Sequence, residues 1–297
     1  MCAQTITDAS GIQELQNNTV VGEPELNDSR IVFKGENNIL YCEEGVRLQN
    51  ASITFGGSNG LVVLGSNKNP CYLDLTLYND CSVVIGRNVY FNGALRTIVS
   101  EQRTIAIGDG CLLSFGIWMR TADPHLVYDA KTYKRLNYSK DIIIGDHVWI
   151  GQDAFVLKGT TIGSGSILGA RSVVAGKTIP SNTSWAGNPA RLIGEDVFWE
   201  GSCVHMWTRS KTEKSKKLRT KDYLYKEPSR SIVESFVADP ELPSQQRLEH
   251  YLANGFGNGS HDRLAVGPGE RHDGSARGKG SIRQGIAGLA RRMGSSR

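Results

Sequence analysis

The chain has 297 residues, 39% apolar and 22% charged, with a formal net charge of only +4. This balance is ordinary for a soluble protein, and it gives the body of the chain no basic surface for nucleic acid. Two features stand out: 34 glycines, and basic excesses late in the chain, nine Lys/Arg against three acids in 209–231 and eight against three in 254–297.

In chain order, residues 1–30 form an N-terminal segment. Its start, MCAQTITDAS, has neither the basic nor the apolar region of a signal peptide. No run of ~18 apolar residues follows to span a membrane. Cys2, Cys42, Cys71, Cys81, Cys111 and Cys203 form no CxxC pair. They read as reduced thiols of a cytoplasmic protein, with no zinc site expected.

From 31 onward apolar residues alternate (Ile31, Phe33; Ile53, Phe55), and Val63–Leu64–Gly65, Leu73 and Ile85–Gly86 suggest imperfect coils. Ile107, Leu113 and Met119 keep a step of six. The step then becomes unbroken in Ile144, Ile150, Val156, Ile162, Leu168 and Val174, with glycine after four of them and a small residue four places on (Val148, Ala154, Thr160, Ser166, Ser172). A period of six matches neither the 3.6 of a helix nor a hairpin. It fits an all-β solenoid of triangular coils, three hexads per turn, with the aliphatic residue inside and glycine easing the corner. Such hexads form a left-handed parallel β-helix, here predicted over 31–194.

Between Met119 and Ile144 the period is interrupted by a loop thrown out at about 120–142. It contains His125, one of two histidines in the repeat region. Long loops on regular scaffolds tend to carry function. Residues 195–253 form a C-terminal extension: an aromatic stretch FWEGSCVHMW (198–207) expected to cap the prism, a basic stretch, and a short helix over 239–253. Residues 254–297 read as a disordered basic tail. Ile282, Ile286, Leu289 and Met293 share one helical face there, a possible weak contact with a membrane surface.

Three segments carry a resemblance: TADPH at 121–125, IGDHVWIG at 144–151 and AGNPARLI at 186–193. Together they resemble the hexapeptide-repeat sugar O-acetyltransferases. The run HLVYDAKTYKRLN resembles the bacterial capsule and surface-polysaccharide members, including those acting on sialic-acid polymers. The resemblance covers roughly 85–195 and leaves 200–297 uncovered. It implies acetyl-CoA as co-substrate, a saccharide acceptor, a homotrimer with active sites between subunits, and His125 as general base for direct attack. Histidine suits that task because its pKa lies near neutrality.

Around His125, Trp149 turns outward beside Ile150 and reads as a groove wall or a subunit contact. Asn92 aligns with an acceptor-binding asparagine of related enzymes, against a plain turn asparagine. His147 is a second candidate for substrate binding, against a plain turn residue. Arg135 offers a guanidinium for a sugar carboxylate, against a solvated loop charge. For acetyl-CoA, Gly151, Gly169 and Ala170 would leave room for pantetheine, and Arg171, Lys177 and Arg191 would meet its phosphates. A γ-class carbonic anhydrase needs three clustered histidines, and only His125 and His147 fall in the solenoid. A nucleotidyltransferase needs a Gly-rich Rossmann-like domain, which is absent. A non-catalytic scaffold has no use for His125 in such a loop. N-acylation of an amino sugar uses the same base and stays open.

Overall fold

The structure, a computed structural model, describes residues 3–225 and 237–254. The expected tail and its amphipathic face lie outside the described residues.

The apolar residues read from the sequence point inward because alternate side chains of a strand face opposite ways. The chain visits three sheets in fixed rotation. The first face stacks Arg30–Phe33, Ser52–Phe55, Leu73–Leu77, Leu95–Val99, Trp118–Arg120, Phe155–Leu157 and Val173–Ala175 in parallel. The second runs from Thr19–Val21 through Ile39–Cys42, Leu61–Leu64, Ser82–Ile85, Thr104–Ile107, Ile142–Ile144 and Thr161–Ile162 to Thr178–Ile179. The third pairs Glu25–Asn27 with Arg47–Gln49, then stacks Tyr90–Phe91, Leu112–Leu113, Trp149–Ile150, Ile167–Leu168 and Ser184–Ala186. Antiparallel strands close two edges: Gln4–Ile6 on the first face and Arg191–Gly194 on the third. An edge so covered cannot template pairing with other chains.

The early coils are as regular as the late ones but larger. On the first face Ile31, Ile53, Leu75, Thr97 and Met119 are aligned partners, each 22 residues from the next. Val156 and Val174 are aligned 18 apart. The four added residues lengthen strands on the first and second faces, so Ile53 is joined inside by Phe55 and Val62 by Leu64. Adding residues in pairs preserves the in–out alternation. That is why the early pattern fails as hexads yet builds well-ordered coils. The wider prism takes larger side chains: Phe33 and Phe55 stack with ring centroids 4.7 Å apart.

The second face is apolar on both sides. Its outward residues Ile39, Leu61, Val63, Val84, Ala106 and Ile143 form a second cluster with Ala238, Leu248 and Tyr251. The last two lie on the helix Ser244–Asn254. Arg247, on the same helix and 1% exposed, donates to the carbonyls of Asp80 (3.0 Å), Leu242 (3.1 Å) and Asn59 and to Ser82 Oγ (2.6 Å). Carbonyls at a coil corner have no strand partner, and the guanidinium satisfies several at once.

Arg247→Ala would orphan those carbonyls in an apolar setting, at about 1–3 kcal/mol for each group left unsatisfied. The expected result is a lower denaturation midpoint and loss of amide protection in 244–254. An unchanged midpoint would show that the helix is not held by this clamp.

Candidate active site

The extruded loop leaves the first face at Arg120 and rejoins the second at Ile142. It is rooted on its own corner from both neighbouring coils. From one side, Glu101 takes Arg135 in a bidentate pair (2.7 and 2.9 Å) and accepts from Ser139 Oγ at 2.5 Å. From the other, Lys158 donates to Asp123 at 2.5 Å and to the Asn137 carbonyl at 3.3 Å. Arg135, then Ser139, hold the Glu101 carboxyl down at about 2. The Lys158 ammonium likewise keeps Asp123 below the usual carboxylate range. The tip is a short hairpin bridged at Tyr128 and Arg135, and the Asp129 side chain closes its turn on the backbone N–H groups of Lys131 and Thr132.

His125 sits exposed between these anchors. Its backbone is fixed by Asn137, whose Nδ2 donates to the His125 carbonyl at 2.7 Å and to Asp123 at 3.1 Å, while its Oδ1 accepts from Val127 N at 2.8 Å. An asparagine satisfied on both ends is a rigid strut. It leaves the imidazole facing solvent on a fixed backbone.

The remaining candidates fall into separate places. Trp149 is on the third face, 39% exposed, with its Nε1 donating to Ser114 Oγ at 3.4 Å. That face does not meet the corner that bears the His125 loop. Among the described residues no bond or ring contact joins the loop to Trp149. Asn92 follows the third-face strand Tyr90–Phe91, its backbone N–H donating to Leu113 O at 2.8 Å. The same corner bears Ser114, Gly151, Gly169 and, after it, Ala170 and Arg171, coil upon coil. Asn92, Trp149 and the glycine column therefore lie along one edge of the prism. Tyr90, in register with Leu112 and Trp149 and exposed, belongs to the same wall. The sequence reading did not single it out, although Phe91 follows Ile85 by six as Ile150 follows Ile144 and Tyr90 stands where Trp149 does.

Several expectations are revised by geometry. A Cβ on Gly151 would come within 2.5 Å of Ala170 N, so stacking of coils already requires glycine there, whatever lies in the groove. Arg135 is engaged by Glu101, so the carboxylate expected from a sugar is met inside the chain. Lys177 lies at the loop's corner, its Nζ 5.6 Å from the centroid of Trp185, away from Arg171, which faces Asp153 at 3.6 Å. Arg191 is exposed on the closing strand.

His147 is not a free turn residue. At a positive φ of 52°, its ring is sandwiched between Trp199 (centroids 4.0 Å, 2° between planes) and Tyr223 (4.5 Å, 10°). Its Nε2 lies 3.0 Å from the Trp199 carbonyl, and Trp199 Nε1 donates to the His147 carbonyl at 2.8 Å. Trp199 in turn stands 6.1 Å from Trp149. The aromatic stretch expected to cap the end of the prism thus packs along its side at this stack.

Residues 141–176 match the bacterial transferase hexapeptide (six repeats) family model. A putative acetyltransferase of Dictyostelium discoideum is 33% identical over 135 residues, 45% of this chain and 69% of that protein. This chain belongs to the hexapeptide-repeat acetyltransferases. The coil is accordingly the left-handed parallel β-helix. The polysialic acid O-acetyltransferase of Neisseria meningitidis is 29% identical over 180 residues, 60% of this chain and 83% of its own. The crystal structure of the polySia-specific acetyltransferase NeuO superposes with a TM-score of 0.57 at 28% identity, covering 67% of this chain and 93% of that one.

Asn137→Ala should speed amide exchange across 123–128 by about tenfold or more, with 142–150 unaffected; equal protection would remove Asn137 as the strut. Burial holds the His147 pKa below its ordinary 6.5, partly offset by its bond to Trp199. The unfolded chain therefore binds the proton more readily. The stack's contribution is whole above about 6.5 and is lost as pH falls through the lower folded value. Tryptophan fluorescence should change over that interval in the wild type and lose the transition in His147→Phe.

Proposed function

We propose that this protein is an O-acetyltransferase that moves an acetyl group from acetyl-CoA to a hydroxyl of a sialic-acid polymer or a related surface saccharide. The observation that carries this reading is His125, held on a strutted loop in a chain whose relatives include polysialic acid O-acetyltransferases. His125 takes the proton of the acceptor hydroxyl as its oxygen attacks the thioester carbonyl. The tetrahedral oxyanion collapses, the C–S bond breaks, and the imidazolium returns the proton to the CoA sulfur. The thiols offer no competing nucleophile in the core: burial pushes Cys42, Cys71, Cys81 and Cys111 up, leaving Cys203 as the exposed one among the described cysteines. Buried, unpaired thiols also fit a cytoplasmic protein.

The active unit is a homotrimer with sites between subunits. His125 and the groove of Trp149, Asn92, Gly169 and Ala170 belong to different sides of one prism, so a site that uses both takes them from two copies. Exposed Leu126, Val127, Tyr128, Leu136 and Tyr138 on the loop give it an apolar surface for the neighbouring prism. Arg171 and Arg191 suit the CoA phosphates at the upper end of the groove.

His125→Ala should abolish acceptor-dependent thiol release by about 10²–10⁴-fold, and Trp149→Ala should weaken it severely. Mixed and reassembled, the two variants should recover part of the wild-type rate, because some sites then combine an intact His125 with an intact Trp149. No recovery from a mixture shown to exchange subunits would place both residues of a site in one chain. Full activity of His125→Ala would remove the base altogether.

A further inference from the structure

The C-terminal extension is tied down at two corner residues. Two corner residues with positive φ, His147 and Asn182, each hold two separated parts of it. Asn182 Nδ2 donates to the carbonyls of Val197 (3.0 Å) and Tyr223 (2.7 Å), and its Oδ1 accepts from Tyr225 N at 2.8 Å. His147 stacks on Trp199 with one ring face and on Tyr223 with the other. The chain thus descends one corner from Asn182 to His147, departs at Trp199, and returns at Tyr223 to climb to Tyr225. Residues 200–222 are a strap with both feet at one spot.

What the strap carries is charge. Between 209 and 221 it holds seven Lys/Arg (Arg209, Lys211, Lys214, Lys216, Lys217, Arg219, Lys221) against Glu213 alone. Lys216 pairs with Glu213, and Lys211 lies 5.1 Å from the Trp207 ring centroid. Among the described residues no carboxylate lies within ion-pair distance of Lys214, Lys217, Arg219 or Lys221. Like charges crowded this way repel one another and favour a partner of opposite sign. The feet fix where that charge is displayed: Trp199 borders Trp149, the groove wall.

We propose that this strap is a binding site for a polyanionic, carboxylate-bearing polysaccharide, holding the acceptor chain beside the groove while one of its residues reaches the base. The inference rests on the acetyltransferase reading for its purpose, though its binding is measurable without turnover. A polymer bound through several cations releases counterions, so affinity falls steeply with salt, and a tethered chain presents its other units at high effective concentration. The alternative claimants for these cations are the CoA phosphates and an anionic membrane surface, and each leaves a different signature.

The test compares wild type with the combined Lys214→Gln, Lys217→Gln, Arg219→Gln and Lys221→Gln variant, all surface positions. Binding of labelled polysialic acid without acetyl-CoA is followed by anisotropy at about 20 and about 300 mM salt. The expected result is wild-type binding that weakens with salt, and about tenfold weaker binding with a shallower salt dependence in the variant, which keeps three of the seven cations. In turnover, KM for the polymer should rise, with kcat and KM for acetyl-CoA unchanged. Equal polymer binding by both proteins overturns the proposal. So does a rise in KM confined to acetyl-CoA, or a loss confined to vesicles containing phosphatidylglycerol. If the wild type binds polymer through the strap but transfers no acetyl group, it is the enzymatic reading that falls and the binding site that stands.

Discussion

Everything in this molecule depends on the spacing between coils. Parallel strands pair at about 4.8 Å, so each backbone corner is pressed against the corner above and below it. A residue there either has no side chain, as at Gly151, or turns its side chain to serve the neighbouring coil. Ser166 Oγ donates to Pro180 O at 2.7 Å and Ser172 Oγ accepts from Gly187 N at 3.1 Å, both fully buried. The small residues of the hexad are the inner half of this constraint, and the glycines are the outer half.

The same constraint says where function can be added. Lengthening a strand by two keeps alternation, and the early coils do so throughout. Inserting a long segment inside a strand would break its ladders with the coils on both sides. At a corner it breaks none: Ile105 and Ile142 remain aligned partners across the insertion, as do Met119 and Val156. The His125 loop and the feet of the strap both sit at corners for this reason. A rigid prism then fixes each insert, through Glu101 and Lys158 in one case and His147 and Asn182 in the other.

The hexad from Ile144 to Val174 made the late coils legible, and TADPH with VWIG marked the loop and its histidine. The early coils were read as imperfect because a six-residue template cannot register a pattern of period 22 whose strands differ in length. The supports of the site were invisible for another reason. Asn137 reads as one more loop amide, and Glu101 lies 34 residues from the guanidinium it takes. Arg135 was weighed between a sugar carboxylate and a solvated loop charge because a sequence does not show which carboxylate a fold brings to it. His147 was weighed between substrate and solvent, while its partners, Trp199 and Tyr223, lay in a stretch with no repeat to place them.

The three faces of the prism are not equivalent, and this asymmetry ties fold to assembly. The second face is covered by the helix Ser244–Asn254, whose Arg247 and Tyr251 are among the most buried large side chains of the chain. That cover accounts for strands such as LVVL and SVVI, buried on both sides, where a solvated face would alternate with polar residues. A face so occupied is closed to a second copy along that stretch. Apolar side chains remain open on the other two, Trp149 on the third face and Phe155 on the first, and on the loop at the corner between first and second. In the proposed trimer, loop against groove would join unlike surfaces of two copies, a heterologous contact that closes as a ring. On the assembly proposed above, a covered face, an open edge at Trp149 and a loop on the far side of the prism would be parts of one arrangement, in which the helix restricts where copies can meet and the loop supplies the base that each edge lacks.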